Sequence, residues 1–234
     1  MRFYGHSIKK EAFEAGSIDV SLEKVASLRR RLHNVEEIKR EIERVFYSRV
    51  TDTLEVILAG ALAVEASDVH IEPFPDHARL RFRLDGILED IISIPMSMSA
   101  MLLSRIKLVS ELKLNIHDKP QDGRFTISLE PKQVEVRVSL LPGPSGENIV
   151  MRVLDPRSIE VSIDDLGMQP WISETIKQEI KKTQGMILTT GPTGSGKTTA
   201  LYTFLRATYT PEIKVITIED PIEYHIDGVE QTQV

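Results

Sequence analysis

The sequence predicts a chain of two parts, a small α+β unit followed by an α/β unit built on a parallel sheet. Three observations carry this. Between Thr51 and Leu154 the apolar residues pass from helical spacing to strict alternation, and back more than once. From Asp155 to about Gln169 no regular period is found, as in a linker. From Met186 onward a short apolar run, a glycine-rich loop, a helical stretch and a second apolar run follow one another, which is the order of a βαβ unit. The expected division is a helical or loose segment at 1–50, the α+β domain at 51–154, a linker at 155–169 and the α/β part at 170–234.

Each element has its own warrant. Residues up to about Gly16 lack periodicity. Asn34 and Glu37 have the spacing of a capping box, and Val35, Ile38, Ile42, Val45 and Phe46 then recur as on one helix face. A second helix is expected from Thr51 or Asp52, with Leu54, Ile57, Leu58, Ala61 and Leu62 inward. His77–Leu84 alternates Leu80, Phe82 and Leu84 with Arg79, Arg81 and Arg83, so it reads as a strand. Asp85-Gly86 is a turn signal, and Ile87–Ile94 returns. Ser97 or Ser99 should open a helix carrying Leu102, Leu103, Ile106, Val109 and Leu112. Gln121–Arg124 reads as a turn before two further strands, and Leu141–Gly146 as a loop before a strand ending at Leu154. In the second part, Pro170 suits the first turn of a helix running to about Thr183. Met186–Thr190 reads as a buried strand, Lys197–Thr208 as a helix and Lys214–Glu219 as a second buried strand.

Composition narrows the function classes. Of 234 residues, 41% are hydrophobic and 27% charged, ordinary values for a globular chain. The absence of cysteine excludes disulfides, thiolate chemistry and sulfur-ligated zinc, and suits a reducing compartment. No apolar stretch approaches the roughly 20 residues of a membrane span. A net charge of −6, most of it from Pro156 onward, argues against nucleic acid as a partner.

One motif carries chemistry. Gly191–Thr198, GPTGSGKT, fills the pattern G-x-x-x-x-G-K-[ST] between a predicted strand and a predicted helix. Gly191, Gly194 and Gly196 allow a backbone that turns its N–H groups toward phosphate, with Pro192, Thr193 and Ser195 completing the loop. The positive end of the helix dipole points to the same place. Lys197 supplies a charge for the β- and γ-phosphates, and the Thr198 hydroxyl can ligate Mg²⁺. Thr199 continues the first turn. ATP and Mg²⁺ are the expected ligands. The segment Ile218–Glu223 adds carboxylates at the carboxyl end of the next strand, where ligand sites of parallel sheets lie. Glu219 or Asp220 could orient water or hold a Mg²⁺ water. Equally, the group could be a solvated cluster capping a helix that starts at Asp220-Pro221. His70 reads as a strand residue with a local hydrogen bond, and Trp171 as packing at a helix start. Arg83, Arg124 and Arg137, taken singly, read as surface residues or as phosphate ligands.

The segments ASDVHIEPF, RFRLDG, QDGRF, VEVRVSLLPGPSGENIVMRVL, LGM, GPTGSGKTTALY and ITIEDPIEY together resemble the secretion ATPases of type II secretion, type IV pilus assembly and competence pseudopili. The likeness runs from about Ala66 to Val234. It implies a small sheet-and-helix domain followed by a RecA-like P-loop ATPase domain, assembled as a homo-hexamer. It further implies a location at the cytoplasmic face of the inner membrane, with platform and docking proteins as partners. By the same likeness ITIEDPIEY is the aspartate box, which places Glu219, Asp220 and Glu223 there as catalytic candidates. Arg83, Arg124 and Arg137 match the small-domain arginines that approach nucleotide in such enzymes. The family's Walker B strand, histidine segment and cysteine module have no counterpart here, so the resemblance implies a truncated ATPase domain. The readings are then an ATP-hydrolysing motor for secretion or pilus assembly, a nucleotide-dependent binding module without hydrolysis, or a DNA-translocating ring that the charge disfavours.

Overall fold

In the computed structural model, the structure describes residues 16–19, 35–46, 48–129, 132–155, 161–192, 195–224, 226 and 228–234. The chain divides into two compact units, Met1–Val153 and Leu154–Val234.

The first unit is an α+β structure. Its sheet has the strand order β1-β5-β6-β7-β2-β3-β4 among the described residues. The strands are β1 (Ser17–Asp19), β2 (Asp68–Pro73), β3 (His77–Leu84), β4 (Ile87–Pro95), β5 (Gln121–Leu129), β6 (Lys132–Gly143) and β7 (Gly146–Leu154). The helices are α1 (Val35–Val45), α2 (Val50–Ala63) and α3 (Met96–Val109). Alternation explains the two-faced sheet: Leu80 and Phe82 of β3, Phe125 and Ile127 of β5 and Met151 of β7 are all buried in one core with Leu54, Ile57 and Leu58 of α2. The other face carries the arginines. β1 pairs in parallel with β5, and β2 pairs antiparallel with both β3 and β7. The β3–β4 turn uses Asp85 at φ 49° and Gly86 at φ 82°, the doubly left-handed geometry that Asp-Gly favours.

Several expectations need correction. α2 begins at Val50 with Arg49 as its cap, and α3 begins at Met96 after Pro95. Neither uses a side-chain cap, so the serines and the aspartate carried no boundary information. Gln121–Arg124 is not a turn but the first half of β5. Its glycine is needed for close approach: a Cβ on Gly123 would lie 2.5 Å from the Ser110 carbonyl oxygen. The expected loop at Leu141–Gly146 contracts to a turn at Pro144-Ser145 between β6 and β7, with Asn148 donating from Nδ2 to the Leu141 carbonyl. β1 was not anticipated; three residues are too few to show a period. The proposed capping residue Asn34 and the segment before Gly16 lie outside the described residues.

The second unit holds α4 (Pro170–Glu179), α5 (Lys197–Thr208) and two parallel strands, β8 (Ile216–Glu219) and β9 (Glu230–Gln233). α4 opens with Pro170 at its first turn and stops four residues before Thr183. There the hydrogen bonds tighten, from Lys181 N–H to Gln178 O and from Lys182 N–H to Glu179 O. Trp171 does not pack: it is 71% exposed, roughly 200° around the helix from the buried Ser173. Met186–Thr190 joins no ladder among the described residues, and Met186 and Leu188 are exposed. A strand exists by its hydrogen-bonded neighbour, and β8 bonds instead to β9. The helix expected at Asp220-Pro221 is not formed; the residues described there are bends and irregular chain.

Candidate functional site

The glycine-rich loop leads directly into α5. Gly196 caps the helix at φ 81° and ψ 14°, a left-handed conformation that a residue with Cβ adopts only under strain. The first turn of any helix leaves its N–H groups without intrahelical partners, and Gly196 offers no side chain to cap them. Lys197 folds back so that Nζ donates to the Pro192 carbonyl at 2.8 Å, holding an ammonium over the loop. A Cβ on Gly191 would lie 2.6 Å from Ser195 Oγ and 3.3 Å from its Cβ, so a larger residue there would require the Ser195 side chain to shift. Thr198 and Thr199 are half-buried in the first turn. Thr193 and Gly194 lie outside the described residues.

Glu219 ends β8 on the strand face shared with Thr217, while Ile216 and Ile218 take the exposed face. Its carboxylate is enclosed by donors. Tyr202 Oη of α5 donates to Oε2; Thr217 Oγ1 and Gln231 Nε2 donate to Oε1, the latter at 2.9 Å. Gln231 Nε2 also donates to the Tyr224 carbonyl, and its Oε1 accepts from Ile226 N–H. Tyr202 is 3% exposed; burial, then its bond to Glu219, pushes its hydroxyl well above the usual phenol range. Glu219 is therefore not part of a solvated cluster. Asp220 is exposed and Glu223 half-buried.

The candidate arginines lie in the first unit, on the sheet face away from the core. Arg83 donates from Nε to Asp68 Oδ2 at 3.1 Å and from Nη1 to the Gly86 carbonyl at 3.1 Å. Arg152 reaches the other oxygen of Asp68 at 3.3 Å. Arg124 and Arg137 are cross-strand partners flanking Glu135, at 3.9 Å and 3.2 Å. Arg83 stands apart from that pair. β3 is three strands from β6, roughly 14 Å by ordinary strand spacing. His70 occupies β2 as expected, yet its Nε2 is buried with no hydrogen-bond partner.

Sequence reasoning missed Tyr202, Thr217 and Gln231. The shared face of Thr217 and Glu219 was readable from a period of two; the other two residues converge only through the fold.

A glycine-rich loop opening a helix beside a parallel strand pair is the arrangement of a phosphate-loop α/β protein. The family model described as type II/IV secretion system protein matches residues 44–234, and the chain belongs to that family. It is 41% identical over 181 residues to the putative type II secretion system protein E of Escherichia coli K12, covering 77% of this chain and 37% of that protein. It is 35% identical over 220 residues to type II secretion system protein HxcR of Pseudomonas aeruginosa, covering 94% of this chain and 47% of that one. The chain thus spans between about a third and a half of the length of these relatives. Among solved structures, the Legionella pneumophila ATPase DotB shares the fold, with a TM-score of 0.58 at 20% identity, over 77% of this chain and 50% of that one. No helix among the described residues is long and apolar enough to cross a membrane.

Proposed function

We propose that this chain binds ATP with Mg²⁺ through Gly191–Thr199, and that in the intact enzyme hydrolysis powers type II secretion or the assembly of a type IV pilus or pseudopilus. The observation that carries the reading is the loop and its helix: a left-handed Gly196, an uncapped first turn of α5, and an ammonium folded over the loop. These features fit a chain of phosphates, which is anionic and accepts from backbone N–H groups. The half-buried Thr198 hydroxyl suits a hard cation that prefers oxygen. Mg²⁺, when bound, would neutralise charge between the β- and γ-phosphates.

The roles of the chain's own residues follow. Lys197 binds phosphate oxygens as a point charge in exchange for the Pro192 carbonyl. Pro192, Thr193 and Ser195 shape the loop, and Gly191, Gly194 and Gly196 let the backbone approach. Glu219, Asp220 and Glu223 orient water and cation at the end of β8. One or more of Arg83, Arg124 and Arg137 offsets phosphate charge. In the whole protein we expect a homo-hexamer, cytoplasmic and peripheral to the inner membrane, acting on platform and docking proteins and not on nucleic acid.

A second reading, a nucleotide-dependent module that does not hydrolyse, is favoured for this chain by one observation. Three donors already occupy the Glu219 carboxylate. The decisive variant is Lys197→Ala, which removes the phosphate-facing charge. Affinity for a fluorescent ATP analogue with Mg²⁺ should fall below detection while the fold, checked by circular dichroism, is kept. Unchanged binding would remove the loop from the account. Phosphate release by the purified chain separates the two readings: negligible turnover supports the module, and ordinary turnover abolished by Glu219→Gln supports the hydrolase.

A further inference from the structure

We propose that Tyr202 is a positioning residue, one that holds the acidic segment against the second turn of the phosphate-loop helix and so sets the Mg²⁺-dependent share of nucleotide affinity. The proposal rests on the nucleotide reading above. Tyr202 follows Lys197 by five residues, about 7.5 Å along the axis of α5. Its ring meets Tyr224 edge to face, with centroids 5.8 Å apart. Its hydroxyl donates to Glu219 and accepts from the Tyr224 N–H at 3.4 Å. A single side chain of α5 thereby grips both the start and the far end of the segment Glu219–Tyr224.

The remaining contacts make the grip rigid. Glu219 Oε1 receives Thr217 from its own strand and Gln231 from β9, and Gln231 in turn fixes the Tyr224 carbonyl and the Ile226 amide. Donors from α5, β8 and β9 converge on one carboxylate, which leaves it little rotamer freedom. Because the phenol stays protonated, it remains a donor at any working pH. Mg²⁺ keeps most of its waters and is held by phosphates with one or two carboxylates, often through those waters. Its affinity therefore depends on where a neighbouring carboxylate is placed, whereas phosphate binding by the loop amides and Lys197 does not. Loss of Tyr202 Oη should separate the two.

The test measures affinity of the 234-residue chain for a fluorescent ATP analogue, once in Mg²⁺ and once in EDTA. Wild type, Tyr202→Phe, Thr217→Val and Lys197→Ala are compared. Tyr202→Phe keeps the ring packing and should leave metal-free affinity within about twofold, while the gain on adding Mg²⁺ shrinks roughly threefold to tenfold, the net worth of one ordinary hydrogen bond. Thr217→Val should act in the same direction, and it carries the test if Tyr202→Phe does not fold. Equal weakening in both conditions would show a merely structural residue and overturn the proposal. So would an unchanged Mg²⁺ gain, or a wild type that binds nucleotide with no Mg²⁺ gain, and in those cases the nucleotide reading survives. A wild type that binds no nucleotide, or Lys197→Ala binding like wild type, overturns the nucleotide reading and this proposal with it.

Discussion

Lys107 sits in α3 with only 1% of its side chain exposed, and its ammonium donates to Glu147 at 2.8 Å and to the Ile116 carbonyl at 2.6 Å. His117, largely exposed, adds a contact to the same Glu147 oxygen at 2.6 Å. The stripe of Leu102, Ile106 and Val109 was legible as the inward face of a helix, whereas nothing in the local pattern marks Lys107 as buried, because its partner is forty residues away in β7. Breaking a buried pair by removing one member typically costs about 3–5 kcal/mol, since the other charge stays desolvated. We expect Lys107→Met to lower stability by about that amount in urea denaturation. The double variant Lys107→Met with Glu147→Leu should recover most of it, because no lone charge remains. A single variant within 0.5 kcal/mol of wild type, roughly the ceiling for surface changes, would refute the pairing. The candidate site shows the same division at residue scale. Lys197 and Thr198 are singled out as candidates by local spacing alone, while the enclosure of Glu219 arises from residues 202 and 231, which no local pattern brings to it.

Elements whose cause is local were the readable ones. α5 spans the residues its sequence predicts because a left-handed glycine starts it, and β3 and β4 follow from alternation and an Asp-Gly turn. Those whose cause is tertiary were not. QDGR has turn composition, but Gly123 is glycine because α3 ends against it. A methyl group there would meet the Ser110 carbonyl oxygen at 2.5 Å and Leu112 Cδ2 at 2.8 Å. Gly123→Ala should therefore destabilise the first unit by roughly 1–3 kcal/mol, the usual cost of overpacking. Chemical denaturation followed by a probe in that unit would show it; an unaltered midpoint would mean the backbone yields more easily than the contact implies. Met186–Thr190 fails in the other direction. Its β-like apolar run is genuine, but no ladder partner is found for it among the described residues.

At the scale of the whole molecule, the second unit leaves Met186, Leu188, Ile216 and Ile218 exposed, the last at 73%. Aliphatic side chains on and beside an incompletely paired strand favour association with another chain. We expect the purified chain to show a concentration-dependent rise in mass by analytical ultracentrifugation, and Ile218→Lys to suppress it. A monomer at all concentrations for both would show that this surface is inert.

The pairing of β1 with β5 has a consequence for how the protein is made. Ser17–Asp19 lies beside Thr126–Ser128, and at the centre of the same sheet Val69 faces Met151. A ribosome adding about 5–20 residues per second needs several seconds to reach β5 after β1 has emerged, and longer to expose β7. Until then the edges of β2 and β1 that these strands will occupy have no partner. The first unit cannot close as it emerges, hairpin by hairpin; only the β2–β3–β4 meander can form early. The nascent chain therefore carries open strand edges for the time that about a hundred residues take to be synthesised, which is when a chaperone bound near the exit tunnel would have most effect.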